Sequence, residues 1–304
     1  MIPGIYIVAS AIVLTVLVWM RYAETDRWRP SPDSAYYMRM ADGLKVPSPY
    51  QQRILVPLVA RVLGGSKVLS RVATSGNLAC LLAVYAATTY VSGSPMRGLV
   101  ATIAVVMADS AFGLWICLPW LVDGWAFAFG IAGVALVREF PIVAACLLLL
   151  CAITKEATWA LATAFVLATD WTAGWVVLPG LVAYVLLRMA LKPAQPDQPW
   201  LQHALLSVQQ RKQQERMWTS YLRSIGGLRA TPWVVAGSIG TLPVTGWVFL
   251  VAWLQTFLAM DHGRILAGGF LFVVPVAASV APSWLLPLWA LASVYWPFQS
   301  DYGV

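Results

Sequence analysis

The sequence predicts an all-α protein whose helices cross a membrane several times, and three observations carry that prediction. Of 304 residues, 60% are hydrophobic and 11% are charged, against roughly 25% charge in a soluble domain. The apolar residues come in long uninterrupted runs, and about 20 such residues span the hydrocarbon core of a bilayer. Sixteen tryptophans fit the same class, because indole rings collect where lipid tails meet headgroups.

Residues 1–20, "MIPGIYIVASAIVLTVLVWM", read as a retained first span. The run has no basic leading region and no small-x-small cleavage site before Arg21, so a secretory signal is the weaker reading. Residues 21–65 form a polar first loop with two short helices. The first, about 34–44, sets Tyr36, Tyr37, Met40 and Leu44 toward one side and Arg39 and Asp42 toward the other. The second, "RILVPLVARVL", follows Pro49 and stops at Gly64 and Gly65. Both are too short to span and amphipathic enough to lie in the interface.

Further spans are expected over about 68–91, 98–118, 121–137 and 174–190, with "SGSPMRG" and Arg138, Glu139 and Pro141 marking turns. Between 142 and 169, Lys155 and Glu156 interrupt the apolar run. Either two short helices meet there, or one long helix buries an ion pair. Residues 192–231 are hydrophilic, and two readings stand: an interfacial helix offering Arg211, Lys212, Arg216 and Arg223 to headgroups, or a solvated connector. Apolar runs at 233–260, 265–281 and 284–298 follow, the first broken by Pro243 and glycines. The whole of 1–304 reads as a single transmembrane domain of about eight to ten crossings or half-crossings.

Several function classes are excluded. The net charge of +7 comes without a dense basic run, so the bases suit lipid phosphates or an anionic lipid substrate rather than nucleic acid. Cys80, Cys117, Cys146 and Cys151 fall in apolar segments with no CxxC pairing, and the only histidines are His203 and His262. Buried, inert thiols are expected, with no metal or redox centre. The oligomeric state is open.

Ionisable groups close to lipid are costly, so their positions are the main pointer to function. Asp33, Arg39, Asp42, Lys45 and Arg53 lie in the first loop, Asp109 in the third span and Asp123 at the start of the fourth. Lys155 and Glu156 interrupt the fifth, while Asp261, His262 and Arg264 separate two late runs. Local roles compete at each place. Asp33 and Asp123 suit helix caps, Lys155 and Glu156 suit a structural pair, and Arg53 and Arg61 suit snorkelling to headgroups. Asp109 suits a hydrogen bond between helices, and Asp261 with Arg264 a pair at a helix end.

The first loop reads D-x-x-Y-Y, then M-A-x-G, then P-Y-x-x-R-x-L-x-P-x-L. It resembles the first external loop of the GT-C superfamily, the integral-membrane glycosyltransferases that use polyprenyl-phosphate sugars. "LPWLVDGWAFAF", "AITKEATWAL" and "MDHGRILAGGFLFVVP" extend the resemblance along the chain. It implies a GT-C-like fold with two juxtamembrane helices, and an acidic residue just after the first span that serves the reaction. It further implies an external site in a multi-pass protein of a prokaryotic plasma membrane, and sugar transfer with inversion to a lipid, glycan or protein acceptor. Membrane lipids and the polyprenyl-phosphate sugar are then the partners. No cofactor is required, and a divalent cation is allowed but not demanded.

Chemistry assigns roles within that expectation. A hydroxyl is a poor nucleophile at neutral pH, so a carboxylate must take its proton, and Asp33 is the candidate catalytic base. Charge growing on the leaving phosphate calls for fixed cations. Arg53 and Arg264 are the candidates, with Lys155 next. Tyr36, Tyr37 and Tyr50 suit stacking on sugar or anchoring at the interface. Asp123, Glu156, Asp261 and His262 would shape the cavity. Arg21, Arg27 and Arg29 favour a cytoplasmic first loop, against the orientation that the resemblance implies. Two other classes stay open: a multispanning transporter or lipid flippase using the same charges as a path, and a non-enzymatic membrane protein that binds a partner through 192–231.

Overall fold

The computed structural model describes residues 32–47, 50–108, 119–191 and 262–294, with isolated positions at 12–18 and 247–255, and every element among them is helical. In chain order these are α1 (Pro32–Ala41), a 3-10 turn (Tyr50–Gln52), α2 (Leu55–Leu63), α3 (Ser66–Ser92) and α4 (Pro95–Val106). Then come α5 (Asp123–Leu136), α6 (Pro141–Thr154), α7 (Glu156–Thr169), a 3-10 segment (Trp171–Val177), α8 (Leu178–Ala190), α9 (His262–Val280) and α10 (Leu285–Val294). Among the described residues, two helical stretches, Ser66–Ser92 and Trp171–Ala190, are long and apolar enough to cross a membrane. Shorter apolar helical stretches of 10–17 residues make up α4, α5, α6, α7, α10 and, as Gly268–Val280, most of α9.

Local chemistry explains the boundaries. α1 ends at Ala41, earlier than expected, because Gly43 adopts φ 80° and Leu44 N–H turns back to Arg39 O at 2.8 Å. Leu44 therefore leaves the apolar side assigned to it and is 55% exposed. α2 starts two residues later than Arg53, since the chain first makes the 3-10 turn at Tyr50–Gln52. Arg53 is consequently in a connection rather than on a helix. α3 begins with no side chain of its own as cap. Asp42 supplies one from the preceding loop, accepting from Ser66 N–H at 2.8 Å, where a carboxylate also meets the positive helix end. Proline in the first turn starts α4, α6 and α8.

The run over 142–169 is two helices, not one. Lys155 is extended, φ −161° and ψ 111°, between α6 and α7. The expected 98–118 span is helical through Val106. Asp109 and Cys117 lie outside the described residues, as do Asp261, His203 and the segment 192–231.

Packing centres on α3 and α5, which cross at glycine. A Cβ on Gly124 would come within 2.6 Å of the Asn77 backbone nitrogen, and one on Gly76 within 2.7 Å of the Trp125 nitrogen. Backbones approach this closely only without side chains, as in membrane helix pairs. Trp125 Nε1 donates to Val72 O at 2.7 Å across the same contact. α9 lies over α3, α4 and α7. Its C-terminal carbonyls are gathered by Arg97, whose Nη1 donates to Ala278 O at 2.6 Å, Ser279 O at 3.0 Å and Ala281 O at 2.7 Å, a cation where the helix end is negative. Cys80 and Cys151 are buried as expected, but Cys146 is exposed. It shares an outward apolar face of α6 with Ile142 and Val143.

Candidate functional site

The break at Lys155 is where the chain gathers its charges. A residue in extended backbone sends successive side chains in opposite directions. Lys155 and Glu156 therefore diverge instead of pairing with each other. Lys155 Nζ donates to Asp123 Oδ1 at the start of α5, and both side chains are buried. Glu156, in the first turn of α7, takes Arg53 as a bidentate partner, with Nε to Oε2 at 2.9 Å and Nη2 to Oε1 at 2.5 Å. Two ion pairs thus join three distant stretches of sequence at one point.

Arg53 carries the network outward. Its Nη1 donates to the Tyr37 hydroxyl at 3.0 Å, and its guanidinium lies 5.3 Å from the centre of the Tyr50 ring. Tyr50 stacks on Tyr36 with centroids 4.5 Å apart and meets Tyr37 edge-on at 5.9 Å. The Tyr50 hydroxyl donates to Asp33 Oδ1 at 2.7 Å. Asp33 is partly exposed, whereas Tyr37 is wholly buried.

The phenols are held protonated. Burial pushes the Tyr37 hydroxyl up to about 12, against the pull of the Arg53 charge. Burial also raises Tyr50, helped by the charge and hydrogen bond of Asp33. Arg53 would be lowered by burial alone, but the Glu156 charge, Tyr37 and their hydrogen bonds hold it well above its ordinary value. At neutral pH both phenols stay protonated, Tyr50 donating to Asp33 and Tyr37 accepting from Arg53, and the guanidinium is fixed. The arrangement presents one partly exposed carboxylate, backed by aromatic rings and a buried cation.

The structure therefore joins Asp33, Tyr36, Tyr37, Tyr50, Arg53, Asp123, Lys155 and Glu156 in two linked sets. Several local readings change. Asp33 is the second residue of α1 and meets Tyr50. Asp123 is the first residue of α5, Val122 holds the N-cap position, and the Asp123 carboxylate meets Lys155. Arg53 does not snorkel, being 8% exposed. As a phosphate clamp it is already engaged, since its fork is filled by Glu156. His262 and Arg264 lie in the first turn of α9, with side chains outside the described residues, and Asp261 is outside them altogether. Among the described residues, no group of three or more His, Cys, Asp or Glu gathers as a metal site would.

Sequence reasoning missed Gln52 and Asn77. Gln52 is 2% exposed and, among the described residues, neither of its amide atoms meets a hydrogen-bond partner. Asn77 is equally buried where α3 meets Gly124, and its Oδ1 is likewise unmatched. For Asn77 the signal was a polar residue in an otherwise apolar run; Gln52, between Gln51 and Arg53, carried none. No family model, curated protein or solved structure matches this chain. Its function must be argued from its own residues.

Proposed function

We propose that the chain is a multi-pass membrane glycosyltransferase of GT-C-like architecture, moving a sugar from a polyprenyl-phosphate carrier to a lipid, glycan or protein acceptor. The observation that carries the reading is Asp33, a partly exposed carboxylate on a short helix of the first loop, held by Tyr50 beside stacked aromatic rings. Asp33 takes the acceptor hydroxyl proton as that oxygen attacks the anomeric carbon. The bond from that carbon to the phosphate oxygen breaks with its electron pair on the phosphate, so one displacement inverts the centre. Tyr36 offers its outer face for the sugar, and Tyr50, stacked beneath it, supports that face. Arg53 is a positioning residue, fixing Tyr37 and Tyr50 from behind. The cation proposed for the donor phosphate is Arg264, at the positive end of α9. The site would face the external side of a prokaryotic plasma membrane.

The test uses the purified chain in liposomes with labelled polyprenyl-phosphate sugars. Asp33→Asn is expected to lower turnover roughly 10²–10⁴-fold while donor binding is kept. Unchanged turnover rejects Asp33 as the base. Reporter tags at residue 30 in the cytoplasm would reject the external site.

A second reading, a transporter or lipid flippase, is favoured by one observation: the helix break at Lys155 places one buried and one partly buried ion pair at half-helix ends, as in transporter sites. Uptake of a lipid-linked substrate into liposomes that depends on Glu156 but not on Asp33, with no sugar transfer, would select it.

A further inference from the structure

An open cleft of about 460 Å³ lies between the turn after α1, helix α2 and the end of α8. None of Asp33, Tyr37, Tyr50, Arg53 or Glu156 lines it. Its construction is specific. Gly43, at φ 80°, leaves space that the Arg61 guanidinium occupies, since a Cβ there would come within 2.9 Å of it. Gln51 Nε2 donates to Leu191 O at 3.2 Å, tying the end of α8 to the 3-10 turn.

Two kinds of surface meet in this cleft. Met40, Pro57, Leu58 and Leu191 make an apolar wall. Lys45 and Arg61 also line it, and both are exposed. Among the described residues, neither cation has an ion pair or a side-chain hydrogen bond. Asp42, next to Gly43, is turned onto Ser66 N–H instead. Val62 and Met189, next in sequence to the lining residues Arg61 and Ala190, are 79% and 77% exposed.

A small soluble anion would match the cations and leave the apolar wall wet. A neutral lipid would cover the wall and leave the cations unmatched. We propose that the cleft holds one anionic bilayer phospholipid, its headgroup phosphate between Lys45 and Arg61 and an acyl chain along α8. Guanidinium takes phosphate oxygens in a bidentate fork and ammonium adds a point charge. Each basic residue near a bilayer surface contributes to anionic-lipid binding. The site is separate from Asp33 and does not rest on the glycosyltransfer reading.

The experiment is native mass spectrometry of the full chain released from nanodiscs of phosphatidylglycerol or phosphatidylcholine. One retained phosphatidylglycerol is expected, bound roughly fivefold more weakly after Arg61→Ala and about 30-fold more weakly after Lys45→Ala with Arg61→Ala. Lys45→Arg should keep it. Equal retention of the two lipids by the wild type overturns the proposal, as does an unaffected double variant. If the double variant does not fold, the wild-type comparison decides alone. Displacement of the retained lipid by millimolar inorganic phosphate would also overturn it, by showing that the acyl chain contributes nothing.

Discussion

Breaking the Arg53–Glu156 pair should cost more than removing both partners together. The two side chains are 10% and 22% exposed and share two hydrogen bonds. Removing one partner of such a pair strands the other charge, at about 3 kcal/mol. The two single losses are not equal. Arg53→Met also forfeits the hydrogen bond to Tyr37 and the contact with the Tyr50 ring, about 1 kcal/mol each. Glu156→Leu loses neither. The expected order is therefore Arg53→Met at about 5 kcal/mol, Glu156→Leu at about 3 kcal/mol, and the double variant at about 2 kcal/mol, the Tyr37 and Tyr50 contacts alone, because neither charge is then stranded. Unfolding in mixed micelles with increasing anionic detergent, followed by tryptophan fluorescence, measures all four proteins. Additivity within about 0.5 kcal/mol would refute the coupling. Equal single losses would refute the role of Arg53 as the link between the buried pairs and the tyrosines.

Two further outcomes follow from particular contacts. Gly124→Ala forces a Cβ to within 2.6 Å of the Asn77 backbone, so it should destabilise by about 2–3 kcal/mol, whereas Gly93→Ala, with open space but φ 65°, should cost about 1 kcal/mol; equal losses in the same unfolding measurement would show that α3 and α5 are not in close contact. The Ser66 N–H holds the Asp42 carboxyl below its ordinary value, so its capping contribution is complete above the unfolded carboxylate range and is lost as pH falls through the lowered folded value. The stability difference between wild type and Asp42→Ala should therefore be present at pH 7 and vanish on acidification, and a difference that persists at pH 2 would contradict the cap.

What the sequence revealed differs sharply between helices and partners. The apolar run at 68–91 became α3 with two residues more at one end and one at the other, because composition and length alone decide such a segment. Gly64 and Gly65 ended α2 as read, both with positive φ. The partners were not legible. Lys155 and Glu156 looked like a pair because they are adjacent, yet each takes a partner 32 or 103 residues away. That exchange depends on one extended residue between two helices, which apolar periodicity does not register. For Arg53 the sequence offers a phosphate clamp or snorkelling to headgroups, because its neighbours form an amphipathic stretch. The 3-10 turn at Tyr50–Gln52 turns it inward, and no residue in that turn announces it.

The buried pairs and the exposed carboxylate impose different demands. Lys155 with Asp123 is buried and Arg53 with Glu156 largely so, and replacing such pairs by apolar residues is often neutral or stabilising. Their presence is therefore poorly explained by stability alone. What the Glu156 pair accomplishes in space is the fixing of Arg53, and through it of Tyr37 and Tyr50, behind Asp33. A carboxylate positioned that way needs its supports rigid, because small displacements of a base lower its rate steeply. A transport path needs the opposite, pairs that exchange partners as the half-helices move. Replacing both pairs with well-packed apolar residues separates the cases. Loss of transfer with stability retained fits supports that position the base. Loss of uptake, with partner exchange detected by crosslinking in the wild type, fits the moving path.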